Sequence, residues 1–166
     1  MVRKADGDLR ICADNKVGVN PKICNDSYPL PRIESAFTNL ANMTHFAKID
    51  LTSAYNQIEM EESSREITTM NTPLGLVRWT RLPFGIKTAS AQFQRAIEKT
   101  IGEDIPNVVI YQDDIGIEAR SEKLLSEKVE QVLGRLERSG MTINPDKCVL
   151  KAKEIKFLGY RISASE

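Results

Sequence analysis

Val108 to Ala119 reads VVIYQDDIGIEA, two runs of strand-forming residues on either side of Gln112-Asp113-Asp114. The β-branched residues Val108, Val109 and Ile110, then Ile115 and Ile117, favour extended backbone, and the short polar interval predicts two antiparallel strands joined by a tight acidic turn. Neighbouring carboxylates repel, so something must offset the cost of holding Asp113 and Asp114 together. One reading is that Asp is a common turn former whose side chain bonds its own backbone. The other is that carboxylates gathered at a strand edge bind a hard divalent cation such as Mg²⁺, which relieves the repulsion.

Outward from this hairpin the chain alternates between strand and helix patterns. HFAKIDL (45–51) reads as a short strand ending in the polar turn TSAYNQ, which puts Asp50 near a strand end as a potential third ligand. Ile33, Ala36, Phe37, Leu40 and Met43 form a helical stripe over 32–43. Segments 66–70 and 76–82 are β-prone and separated by NTPLG, predicting a hairpin whose far strand carries Arg78 and Arg81. Ala89 to Ile101 reads as a packed helix with Ala89, Phe93, Ala96, Ile97 and Thr100 on one face, closed by Gly102. Ser121 to Ser139 is amphipathic, with Leu124, Leu125, Val129, Val132, Leu133 and Leu136 inward and Gly140 as its stop. Short β-prone runs around Asn144-Pro145-Asp146 and a final FLGYRIS strand complete a mixed α+β pattern with antiparallel pairing.

At 166 residues and 41% hydrophobic content the chain suits one compact domain or part of one. Its 23 basic and 23 acidic residues cancel, so total charge does not advertise a partner, though a balanced total can hide segregated patches. No apolar run approaches a membrane span and the first ten residues lack the apolar core of a signal peptide, which predicts a soluble intracellular protein. Cys12, Cys24 and Cys148 are far apart, which argues against a disulfide framework or a zinc site and for free, buried thiols. His45 is alone, so no histidine triad can form within the chain. A two-cation phosphoryl transfer needs only carboxylates and a shaped cavity.

The motif Tyr111-Gln112-Asp113-Asp114 resembles the Y-x-D-D box of reverse transcriptases. KIDLTSAYNQI is similar to their first aspartate motif, and RLPFGIKTASAQFQ to their L-P-F-G-x-x-x-A-P-x-x-F-Q segment. DGDLRICADN, YPLPRI and EIKFLGYRIS resemble, in order, segments of gypsy-class LTR retrotransposon polymerases, so the match runs over nearly the whole chain. The resemblance implies an α+β fold: a right-hand polymerase palm, an antiparallel sheet backed by helices, with part of the fingers. It places fingers at about 1–44 and 66–88 and palm at about 45–65 and 89–166, with thumb, connection and RNase H absent.

The resemblance also implies roles. Asp50, Asp113 and Asp114 would be the catalytic carboxylates, with Asp50 and Asp113 the principal ligands of two Mg²⁺ ions, for which Mn²⁺ could substitute, and Asp114 shaping the site. Tyr55 would crowd the sugar 2′ position, or serve as a core aromatic. Lys4 and Arg10 would touch the incoming triphosphate, for which an ammonium and a guanidinium suit a polyanion. Phe84 and Gly85 would line the nucleotide pocket, Gln112 would lie under the primer terminus, and Phe157, Leu158, Gly159 and Tyr160 would grip the primer, though FLGYRIS reads equally as a core strand. Two departures stand out: Asn15-Lys16 replaces the usual aromatic-Arg, and Ser90 stands where proline is usual.

The expected activity is RNA-directed DNA synthesis from dNTPs on a primed RNA or DNA template, within a polyprotein that also carries thumb, RNase H and integrase. The expected setting is intracellular, in cytoplasmic virus-like particles or the nucleus, with no membrane partner. A polymerase-derived remnant that binds nucleic acid without catalysis is the alternative, and a protein of unrelated function would keep Asp50 far from Asp113. A cleft with the acidic cluster as its floor and Lys4, Arg10, Arg78, Arg81 and Lys87 on its walls is also expected.

Overall fold

The computed structural model describes the backbone of residues 2–3 and 9–10, and residues 13–31 and 43–164 in full. The stripe over 32–43 falls, except for Met43, outside the described residues, as do Lys4 and the side chain of Arg10. The chain divides into two compact units, Met1–Ser27 with Ser53–Phe93, and Tyr28–Thr52 with Gln94–Glu166.

In the first unit, β1 (Val2–Arg3) and β2 (Leu9–Arg10) pair antiparallel, and Pro21 sits in a 3₁₀ turn, Asn20–Lys22. A second 3₁₀ turn, Ala54–Gln57, precedes the short helix α1 (Glu62–Arg65). The expected hairpin forms as β4 (Met70–Thr72) and β5 (Gly75–Val77), but it is shorter than its β-prone flanks. Glu66–Thr68 turns into a 3₁₀ helix instead, where Thr68 and Thr69 hydroxyls bond the carbonyls of Arg65 and Glu66 at 2.7 Å each. Leu82, Ile86 and Ala89 form a small buried cluster in this unit, packed by Val19, Ile23, Tyr55 and Ile58.

The second unit is built on a four-stranded antiparallel sheet of order β6-β7-β3-β8. Its strands are β3 (His45–Asp50), β6 (Val108–Tyr111), β7 (Asp114–Ala119) and β8 (Val149–Ala152). The β3–β7 register runs without interruption from His45↔Ala119 to Asp50↔Asp114. Because strand side chains alternate, Ile49, Ala47, Ile115 and Ile117 share one face, while Asp50, Lys48, Phe46, Asp114, Gly116 and Glu118 share the other.

Two helices follow the predicted limits closely. Helix α2 (Ala89–Ile101) has Phe93, Ile97 and Ile101 fully buried, one per turn. Its buried side also takes Ala91 and Gln94, whereas Ala96 and Thr100 are only half-buried. Helix α3 (Glu122–Arg138) starts at Ser121, whose side chain accepts the Leu124 N–H, and ends where Gly140 and Met141 N–H groups bond the carbonyls of Glu137 and Leu136. Leu125, Val129, Val132 and Leu136 are buried against the sheet, but Leu124 is 45% exposed because it lies one position round from the i, i+4 row.

FLGYRIS does not run as one strand. Its start and end belong to β9 (Glu154–Phe157) and β10 (Tyr160–Ser163), joined by Leu158-Gly159 with φ of 50° and 85°. Both central residues are left-handed, the geometry whose twist suits a two-residue hairpin. Phe157, Ile155 and Ile162 then pack with Phe46 and Met43. Gly116 makes room for this: a Cβ there would stand 3.2 Å from the Phe157 ring. Among the described cysteines, Cys148 is half-buried as a thiol, but Cys24 is exposed, contrary to expectation. No helix among the described residues is long and apolar enough to cross a membrane.

Candidate active site

The acidic turn forms as the sequence predicts, with Tyr111 paired to Asp114 and Gln112-Asp113 between them. Gln112 adopts φ 57°, unusual for a residue with a side chain. It is held there by Gln94, whose side chain is fully buried. The Gln94 Oε1 accepts the Gln112 N–H at 2.8 Å, and its Nε2 donates to the Ile110 carbonyl at 2.8 Å and to Glu98 Oε1 at 2.7 Å. The Tyr28 hydroxyl donates to the other Glu98 oxygen.

The sheet brings the aspartates together across the chain. Asp50 and Asp114 are opposed in register, and the Leu51 N–H donates to the Asp113 carbonyl at 3.0 Å. The Asp50 N–H lies 3.3 Å from Cys148 Sγ, and its carbonyl accepts from Asn144 N–H at 2.8 Å, which fixes the strand end. Burial raises the Asp50 carboxyl above its usual range; Lys147 opposes this, and the Asp114 and Asp113 charges add to it. Asp114 carries a contact ion pair, Lys48 Nζ to Oδ1 at 2.7 Å, while Lys147 Nζ is 4.0 Å from Asp50 Oδ1.

Among the described residues, no three acidic, histidine or cysteine side chains converge on one point as metal ligands. The donor set nevertheless suits a hard cation, because it is oxygen-only and Asp50 is partly desolvated beside two like charges. A cleft of about 430 Å³ adjoins Asp50 and Asp114, lined also by Lys48, Lys147, Lys156 and Gly159. Among the described residues, the cations lining this cleft are Lys48, Lys147 and Lys156, none of them among the predicted site residues. Lys48 carried a signal, since it lies two residues before Asp50 and so on the same strand face.

The first unit holds the aromatic part of the predicted site. Tyr55 lies 5.2 Å from Phe84 and 5.4 Å from Phe93, ring centre to ring centre. Its hydroxyl and that of Ser90 are 2.8 Å apart, a bond that the usual proline could not make. Gly85 has φ 92°, and a Cβ there would meet the Ala13 carbonyl oxygen at 2.7 Å. Asn20 ties the same loop, donating to the Gly85 carbonyl and accepting from Lys87 N–H, both at 2.9 Å. Arg78 pairs with Glu62 at 2.7 Å and Arg81 donates to the Gln57 carbonyl at 3.1 Å, so both hold local structure. In the second unit, the predicted grip residues form the β9–β10 hairpin: Phe157 is buried, Leu158 half-buried, and Gly159 and Tyr160 exposed.

An antiparallel sheet carrying paired aspartates at one strand end and a Y-x-D-D turn defines a nucleotide polymerase palm. Residues 2–162 match the family described as reverse transcriptase (RNA-dependent DNA polymerase), and the chain belongs to that family. It is 35% identical over 144 residues, 86% of its length, to the retrovirus-related Pol polyprotein from transposon 412 of Drosophila melanogaster. It is 36% identical over 163 residues, 98% of its length, to the transposon Tf2-3 polyprotein of Schizosaccharomyces pombe. In each case it spans 12% of the polyprotein. The foamy viral protease-reverse transcriptase dRH in complex with double-stranded DNA superposes with a TM-score of 0.90 at 26% identity, covering 98% of this chain and 28% of that one. The right-hand palm with part of the fingers and the gypsy-class resemblance agree with these relatives.

Proposed function

We propose that the protein is the polymerase core of a retrotransposon polyprotein, which adds dNTPs to a primer 3′ hydroxyl on an RNA or DNA template. The observation that carries this reading is the register that opposes Asp50 and Asp114 beside the Asp113 turn. In this reading about residues 1–44 and 66–88 would form the fingers, and about 45–65 and 89–166 the palm. Thumb, RNase H and integrase would be supplied by the remaining polyprotein, acting in the cytoplasm, in virus-like particles, or in the nucleus.

Asp50 and Asp113 would hold two Mg²⁺ ions, with Asp114 setting the charge around them. When bound, these ions supply Lewis-acid stabilisation of the attacking and leaving oxygens. The protein's own groups do the positioning: the β3–β7 ladder fixes Asp50, and Gln94 fixes the backbone under Asp113. Tyr55, clamped by Phe84, Phe93 and Ser90, would exclude a 2′ hydroxyl, and Lys4 and Arg10 would hold the triphosphate. Leu158, Gly159 and Tyr160 would meet the primer strand. Primer extension on an RNA template with Mg²⁺ tests the reading. Asp113→Asn is expected to lower incorporation by about a thousandfold. Equal incorporation by the variant overturns it, and no incorporation by either protein favours a silent binding remnant.

A further inference from the structure

Lys48 and Lys147 both approach the carboxylates, but they are held differently. Lys147 is 65% exposed and only reaches 4.0 Å from Asp50. Lys48 is in contact with Asp114, and both side chains are about a fifth exposed, 21% and 22%. Its place is set by the sheet. It stands on the same strand face as Asp50, and its register partner on β7 is Gly116, which presents no side chain of its own. Asp114 lies on that face of β7, two residues before Gly116, so the ammonium reaches it diagonally across the ladder.

A contact ion pair shielded from water on most sides is stronger than an exposed one. A divalent cation that took Asp114 as a ligand would first have to displace an ammonium already touching it.

We propose that Lys48 is the standing counter-charge of Asp114: it holds this carboxylate out of the metal's coordination shell and leaves cation affinity to Asp50 and Asp113. Lys48 is therefore a positioning residue, and Asp114 shapes the floor of the site through it. The inference rests on the metal reading given under the proposed function.

Mn²⁺ binding to the purified protein, followed by the electron paramagnetic resonance signal of the free ion, tests it without any turnover. Lys48→Met removes a nearby positive charge and frees Asp114, and it is expected to tighten binding about tenfold. Lys48→Arg is expected to bind as the parent does. Asp114→Asn is expected to weaken binding, because the released ammonium then faces the remaining carboxylates, and Lys48→Met combined with Asp114→Asn is expected to return to within about twofold of the parent. If the double variant stays as weak as Asp114→Asn alone, Asp114 is a direct ligand and the proposal is overturned. Unchanged or weaker binding by Lys48→Met overturns it as well. Should Lys48→Met melt too low to assay, Lys48→Gln carries the same expectation. Binding that survives both Asp50→Asn and Asp113→Asn defeats the metal reading itself, whereas loss in those variants with no response to Lys48→Met defeats only the role of Lys48.

Discussion

Two turns of the second unit close antiparallel hairpins with two residues each, and they are stabilised by different means. Leu158-Gly159 places both residues in the left-handed region, at φ 50° and 85°, and gives the second position to glycine, which adopts it without steric cost. Leu158, at the first position, bears the same kind of cost as Gln112 and packs against the Phe46 cluster. Gln112-Asp113 has no glycine, and Gln112 at φ 57° carries a local cost of order 1 kcal/mol. That cost is offset from outside the hairpin, by the buried Gln94 on α2. The β9–β10 turn has glycine at its second position and Leu158 packed on the Phe46 cluster, whereas the turn that carries the proposed catalytic carboxylate has no glycine and is held by a hydrogen bond to a helix side chain.

Gln94→Leu should break this contrast most strongly. It removes the buried side chain that accepts from the Gln112 N–H and donates to the Ile110 carbonyl, which should cost about 2–4 kcal/mol, read as a lower melting temperature by calorimetry. An unchanged melt would mean that the acidic turn stands unaided. Glu118 tests β7, the strand that leaves the acidic turn and carries the glycine against Phe157. Burial pushes its carboxyl up to about 7, with Lys128 acting against the rise. A folded-state value above the unfolded one favours the protonated native form, so this stabilisation is complete below about 4.5 and is lost as pH rises through 7. The parent should therefore lose about 2 kcal/mol more than Glu118→Gln between pH 5 and pH 8, measured by urea titration at each pH. Parallel curves for the two proteins would refute the assignment. The smallest effect is expected for Gly159→Ala, about 1 kcal/mol, because the left-handed second position would then carry a Cβ. A loss as large as that of Gln94→Leu would erase the difference between the turns.

Much of this was legible in the chain itself. The β-branched runs around Gln112-Asp113 gave β6 and β7, and the rows ending at Gly102 and Gly140 gave α2 and α3, because periodicity and stop signals act over short distances. FLGYRIS was harder, since only tertiary packing of Phe157 and Ile162 with Phe46 separates a hairpin from a strand. Leu124 looked inward by composition and proved exposed by its angle on the helix. The supporting residues of the site were the least visible. Gln94 ends the RLPFGIKTASAQFQ segment, but a polar residue between the buried Phe93 and Ile97 gives no sign of the turn it holds. Strand alternation puts Lys48 on the face of Asp50, but its contact with Asp114 exists only once β7 pairs beside it. Pairings over such sequence distances leave no trace in composition.

The unbroken ladder from His45↔Ala119 to Asp50↔Asp114 makes the hairpin intolerant of indels. A single-residue slip of β7 would swap Asp114 with Ile115, driving acid into the helix-covered side and oil into the cleft. Length polymorphism should therefore be purged from this segment far more stringently than substitution.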